Sequence, residues 1–223
     1  MNGLLVAATV RRGSFRLAVE LQARAGETIG VLGQIGAGKS SVLALIAGVL
    51  RAEAGSVRGP DGMWDDPAAG IWLPPERRPL AYLAARSTLV DEIPVIDQVV
   101  AATRGLNGSA SDAPRHTNGS AGARRDQAAA LLEELGLPAS VAAREGWTLS
   151  GGETQRAVLA RTFAAAHAVV VLDDPFQALD SRSGDAVRRW LTQRLGSAAH
   201  VTVLACSDPR DTEHLSDRVI DLG

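Results

Sequence analysis

A chain of 223 residues with a formal net charge of −2 and an isoelectric point near 6.1 can build one sizeable α/β core with an inserted subdomain, but not two large independent domains. Its charge leaves no electrostatic footprint for nucleic acid, and its single cysteine, Cys206, excludes an internal disulfide framework and a cysteine-cluster metal site. MNGLLVAATVRRGSF lacks the order of a signal peptide, and the most apolar run, AVLARTFAAAHAVVVL at 157–172, is interrupted by Arg161 and His167. A reducing compartment and at most a peripheral membrane role are therefore expected.

Strand and helix signals alternate along the chain, the pattern of a mostly parallel sheet covered by helices. FRLAVEL at 15–21 alternates like a half-buried strand, and TIGVL at 28–32 reads as a buried one. Next comes VLGQIGAGKSS at 31–41, with Gly33, Gly36, Gly38, Lys39 and Ser40 in the spacing G-x-x-x-x-G-K-[ST], and then the apolar helix pattern SSVLALIAGVL. Glycine at that density costs backbone entropy, so a strand or helix interior does not use it without cause. The cause here is anion binding. Backbone N–H groups along Gly33, Gln34, Ile35, Gly36, Ala37, Gly38 and Ser41 can cradle phosphates, Lys39 can reach the β and γ phosphates, and Ser40 can hold Mg²⁺. A nucleoside triphosphate is the expected ligand.

Residues 104–125, RGLNGSASDAPRHTNGSAGARR, read as a flexible surface loop, and DQAAALLEELGL at 126–137 as a helix stopped by Gly136 and Pro138. LSGGETQRAVLARTF, beginning at Leu149, sets Ser150, Gly151 and Gly152 before a helix, a second anion site where small residues admit backbone N–H groups and Ser150 adds a hydroxyl. Gln155 and Arg156 read as a solvated helix start or, alternatively, as residues that help position the signature. VVVLDDP at 169–175 ends a strand in Asp173, which can hold Mg²⁺, and Asp174, which can orient a water; FQALD follows, ending in Asp180. VTVLA at 201–205 is the last buried run, and no internal repeat is evident.

On the loop at 33–40, the LSGGE run and the strand at 169–175, in that order, the chain resembles the nucleotide-binding subunits of ATP-binding cassette (ABC) transporters over nearly its whole length. The resemblance implies an α/β fold: a three-layer phosphate-loop NTPase core at 1–85 and 163–223 with an antiparallel β edge, and an inserted helical subdomain at 86–162 carrying the signature at 149–153. It implies ATP and Mg²⁺ as ligands. It also implies head-to-tail pairing with a second ABC ATPase subunit, so that Ser150, Gly151 and Gly152 complete the partner's site, and docking on transmembrane permease subunits at the inner face of the membrane. No nucleic-acid partner follows from it. MWDDPAAGIWLPPERRPLAY at 63–82 resembles the same stretch of molybdate-importer ATPases, which implies oxyanion import.

Three positions depart from the family pattern. Ala85 stands where a glutamine touches Mg²⁺ and water. Asp174 stands in place of a catalytic glutamate, one methylene short, and a misplacement of ~1 Å can cost on the order of a hundredfold in rate. Ser207, or Asp208 on a one-residue shift, stands where a histidine meets the γ-phosphate. Weak hydrolysis at this loop is expected, and a heterodimer is favoured over a homodimer; an ordinary slower ATPase, a nucleotide-gated subunit without turnover, and a soluble ABC ATPase are the alternatives. Leu89, Ile93 and Val95 read either as an apolar seat for a permease helix or as ordinary packing, and Phe15 either as an adenine platform or as core. His116 and His167 are not expected to be ligands, and Trp64, Trp72 and Trp147 read at most as lining loops near the sheet edge, with no assigned role.

Overall fold

The computed structural model describes residues 3–103, 120–196 and 200–223. In chain order the elements begin β1 (Gly3–Arg12), β2 (Phe15–Arg24), β3 (Thr28–Leu32), α1 (Lys39–Ala47), β4 (Ala52–Gly59), β5 (Gly62–Asp66), β6 (Ile71–Trp72) and β7 (Leu80–Leu83). They continue α2 (Val95–Ala102), α3 (Ala121–Glu134), α4 (Ala139–Ala142), α5 (Gly151–Phe163), β8 (Val169–Asp173), α6 (Ser181–Gly196), β9 (Val201–Ala205), α7 (Pro209–Leu215) and β10 (Arg218–Asp221). The chain divides into two compact units, the first formed by Met1–Ala84, His167–Asp174 and Arg194–Gly223, the second by Ala85–Ala166 and Pro175–Gln193.

The first unit carries two five-stranded sheets, one antiparallel in the order β2-β1-β4-β5-β6 and one parallel in the order β10-β3-β9-β8-β7. β8 and β9 are buried at every position and β3 at all but its last, as strands covered on both faces must be, which is why each is mostly apolar and lacks a polar-apolar alternation. β1 gives a weaker signal. Leu4, Val6, Ala8 and Val10 face the core, but Leu5 and Ala7 on the outer face are apolar too, which erases the alternation. Val42, Leu43, Leu45 and Ile46 of α1 are buried in one cluster with Val6 and Leu21 of the antiparallel sheet and Val31, Val171 and Val203 of the parallel one. The helix behind the glycine-rich loop is thus packed between the sheets, each such side chain contributing about 1.5–3 kcal/mol of burial.

A buried cation closes α1. Arg78, 1% exposed, donates to the helix's terminal carbonyls, Leu45 O at 2.8 Å and Ile46 O at 2.7 Å, and also to Leu73 O at 2.8 Å. Gly48 follows the helix at φ +81°, where an added Cβ would lie 2.7 Å from the guanidinium, so glycine is required by both backbone and space. Burial pushes the Arg78 guanidinium down to about 10, with Asp65 opposing the shift, so it stays charged at neutral pH and complements the negative end of the helix. Trp64 lies under Arg78 and is fully buried: it is core, not the lining of a loop.

The second unit is built from α2, α3, α4, α5 and most of α6. α3 starts at Ala121, earlier than its apolar stripe, because Ser120 caps it by accepting from Ala123 N–H at 3.3 Å. Residues 121–125 are therefore helical and Ser120 is their cap, while residues 104–119, His116 included, lie outside the described residues. Phe163 and Trp190 pack edge to face at 5.1 Å, and the Trp190 indole donates to Glu134.

Candidate functional site

β3 delivers the chain at Leu32 into the loop 33–38 and α1 takes it up at Lys39. Gly38 caps the helix with φ +103°, and an added Cβ there would lie 2.7 Å from Leu17 and 2.9 Å from the Phe15 ring. Phe15 therefore packs on the base of this loop while staying about one third exposed, 36%. Lys39 Nζ donates to Gly33 O at 2.7 Å and Gln34 O at 3.2 Å, and Ala37 N–H donates to Gln34 O, which draws the loop into a tight ring around the ammonium. Gln34, Ile35 and Gly36 form its exposed tip, Ser40 is exposed at the helix start and Ser41 is buried beside it. A helix N-terminus, a ring of backbone N–H groups and a lysine make a site for a polyphosphate.

β3, β9 and β8 are neighbours and parallel, so their carboxyl ends share one edge of the sheet, the side on which such folds bind ligands. Asp173 ends β8 paired with Ala205 and is 6% exposed. Tyr82 on β7, in register with Val171 of β8, lies on the same face; burial, with Asp173 adding to it, pushes its phenol up to about 12. Nothing in the spacing around Tyr82 marks it, since the contact depends on strand pairing. Asp174 leaves the strand at φ +52° and meets Ser207, whereas Asp208 caps α7 by accepting from Arg210 N–H at 3.0 Å and pairs with the Arg210 guanidinium. Geometry thus separates the two candidates at the end of β9. Among the described residues no group of three or more His, Cys, Asp or Glu converges on a metal site. A serine hydroxyl and one carboxylate are hard oxygen donors, and they suit Mg²⁺, which is held mainly through phosphates and water.

In the second unit Ser150 caps α5 in a reciprocal box: its Oγ accepts from Glu153 N–H at 3.3 Å, and Glu153 accepts from Ser150 N–H at 2.8 Å. The bond from Ser150 N–H holds the Glu153 carboxyl below its usual range, with Arg144 and Arg156 lowering it further. Gln155, read in sequence as solvated, is buried and donates to Pro175 O at 3.0 Å. It ties the signature helix to the turn that follows Asp174. Arg156 reaches Ser183 Oγ at 3.3 Å.

The structure divides the three residues read either as an apolar seat or as ordinary packing. Leu89 and Val95 are core residues, at 6% and 0% exposure, while Ile93 is exposed together with Val90 and Trp147. The segment is held from below by buried Gln98, which accepts from Val90 N–H at 2.8 Å and donates to Val90 O and Ile93 O at 2.9 and 2.8 Å. Trp147 N–H donates to Asp91 O at 3.3 Å, so the tryptophan joins this loop just ahead of the signature. By contrast, a groove of about 610 Å³ lined by Gln22, Arg24, Glu27 and Arg218 lies at the amino end of β3, away from the loop. Two of its charged groups are engaged locally: Arg218 pairs with Glu27, and Asp217 accepts from Thr28 N–H.

The profile of the ABC transporter family matches residues 17–177. The molybdenum import ATP-binding protein ModC of Mycobacterium tuberculosis (strain H37Rv) is 35% identical over 212 residues, covering 93% of this chain and 54% of that protein. The Fe(3+) ions import ATP-binding protein FbpC 1 of Rhodococcus jostii is 34% identical over 212 residues, covering 95% and 55%. The chain spans about half the length of the curated relatives it matches. In fold it is similar to the dimeric post-hydrolysis ATP-binding cassette MJ0796 bound to ADP and Pi, with a TM-score of 0.78 at 22% identity over 98% of this chain and 93% of that one. With the glycine-rich loop, the paired aspartates and the signature in place on such a fold, this chain belongs to the ABC transporter family, as one of its ATP-binding domains.

Proposed function

We propose that the chain binds and hydrolyses Mg-ATP to drive import of an oxyanion of the molybdate type, paired with a second cassette and docked on a permease at the inner face of the membrane. The observation that carries the reading is the shared carboxyl edge of β3, β8 and β9, where a polyphosphate loop and two aspartates serve one ligand. Backbone N–H groups from Gly33 to Ser41 and the Lys39 ammonium bind the phosphates. Ser40 and Asp173 hold Mg²⁺, which when bound neutralises charge on the phosphate oxygens. Asp174 orients the attacking water with a short carboxylate, and Ala85 contributes only a methyl group, which supports slow turnover at this loop. The names of its relatives support import, and the molybdenum relative together with the stretch at 63–82 supports the oxyanion. Val90, Ile93 and Trp147 offer an apolar surface for the permease, and Ser150, Gly151 and Gly152 complete the partner cassette's site, in a heterodimer.

The test is ATP hydrolysis and molybdate uptake by the complex assembled with its co-encoded cassette and permease. Lys39→Ala removes charge-assisted bonds worth about 1.5–3 kcal/mol, lowering ATP affinity on the order of tenfold to a hundredfold in calorimetric titration. Ser150→Arg in this chain alone stops hydrolysis by the complex, whereas Asp174→Asn leaves most of it. Unchanged affinity in the first variant removes the loop assignment, and equal loss in the other two removes the asymmetry.

A further inference from the structure

Asp173 pairs with Ala205 across β8 and β9, so the residues that follow the two strands leave the sheet together. Asp174 turns at φ +52°, a left-handed conformation that aspartate adopts more readily than longer side chains, and its N–H donates to Ala205 O at 2.8 Å. Its side chain is met from the neighbouring strand. Ser207 Oγ donates to Asp174 Oδ2 at 2.5 Å, and Ser207 N–H donates to Oδ1 at 3.3 Å. One residue thus engages both carboxylate oxygens, and the shorter contact has the length of a charge-assisted bond.

We infer that Ser207 is a positioning residue for Asp174, its hydroxyl and amide holding the short carboxylate in one orientation so that the two act as a unit. The inference rests on the ATP-hydrolase reading above, in which Asp174 orients the attacking water, and it gives Ser207 a partner in the protein instead of the γ-phosphate. A carboxylate offers about four lone-pair sites. Ser207 engages one site on each oxygen, which fixes the plane of the carboxylate. A group held in place before the reaction needs no reorganisation during it. The backbone strengthens the arrangement, because Asp174 N–H is tied to β9 while its side chain is tied to the residue that follows β9.

Steady-state kinetics with Mg-ATP on this chain alone, where turnover at its own loop is read without the partner cassette's site, test the pair. Ser207→Ala is expected to lower kcat about tenfold while leaving KM for ATP unchanged, and Ser207→Thr, which keeps the hydroxyl, to recover most of the rate. In an Asp174→Ala background, Ser207→Ala is expected to cost less than about twofold more. Additive losses overturn the inference. So does a raised KM with kcat unchanged, which means that Ser207 touches the nucleotide itself. A second measurement needs no turnover: with the Asp174 carboxyl carbon labelled with ¹³C, Ser207→Ala shifts its resonance in the nucleotide-free chain, and an unmoved resonance overturns the pair. Titration with Mg-ATP separates the two readings. Absence of ATP binding by the wild-type chain removes the nucleotide site, whereas intact binding with an unmoved Asp174 resonance removes only the role of Ser207.

Discussion

The two units hold their functional residues by different means. In the first, the phosphate loop is shaped by main-chain turns and by α1 wedged between two sheets, and the aspartates sit where a buried strand stops. In the second, side chains reach across to main-chain atoms: Gln98 to Val90 and Ile93, Gln155 to Pro175, Glu153 to Ser150. An anion cradle made of local backbone can be rebuilt wherever its spacing occurs, so its pattern is recognisable. A loop aimed by one buried glutamine depends on a partner that only the fold supplies.

The largest expected effect lies in the first unit. Arg78→Met strips a buried cation from the end of α1 and leaves Asp65 buried without it, which costs about 3–5 kcal/mol of unfolding free energy in urea titration. ATP affinity falls with it, since α1 carries Lys39 and Ser40. A loss below about 1 kcal/mol would mean that packing alone holds the helix. Gln98→Leu should act on the second unit and be smaller, about 1–3 kcal/mol, because the Val90 and Ile93 main-chain groups lose their partner. Hydrogen exchange at 90–93 accelerates and, on the docking proposed above, recovery with a permease drops, while ATP affinity is unchanged; an equal fall in ATP affinity would erase the contrast between the units.

The smallest effect is in pH. Burial holds His167 below its ordinary value of 6.5, with His200 adding, and burial does the same to His200, with Arg194 adding. Both are neutral in the folded first unit, and the unfolded chain binds more protons once pH drops below about 6.5. Their stabilisation is complete above that value and is lost as pH falls through the lowered values. In the second unit the groups held low are Glu153, mainly by the Ser150 N–H, and Asp180, mainly by the Ser183 N–H, so loss there waits until pH falls below their ordinary values of 4.5 and 3.8. Acid titration followed by hydrogen exchange is expected to loosen His167–Asp174 before Gly151–Phe163. The reverse order would contradict the assignment of these groups.

Much of the molecule follows from sequence alone, and the reason is locality. The glycine spacing, the lysine, the apolar run of β8 ending in aspartates and the Ser-Gly-Gly turn are each contained within a few residues, so their chemistry survives without tertiary context. What tertiary structure decided is what depends on distant strands and helices meeting. Pairing of β8 with β9 brings Ser207, and not Asp208, to Asp174; pairing of β7 with β8 sets Tyr82 on the face of Asp173. Burial sends Leu89 and Val95 inward and leaves Ile93 out, although all three are equally apolar on paper. Gln155 and Arg78, polar side chains that composition assigns to the surface, are buried because a carbonyl 20 residues away and a helix end 32 and 33 residues away accept their protons. A hydrogen-bond partner at that separation is fixed by the path of the whole chain, and no local spacing encodes it.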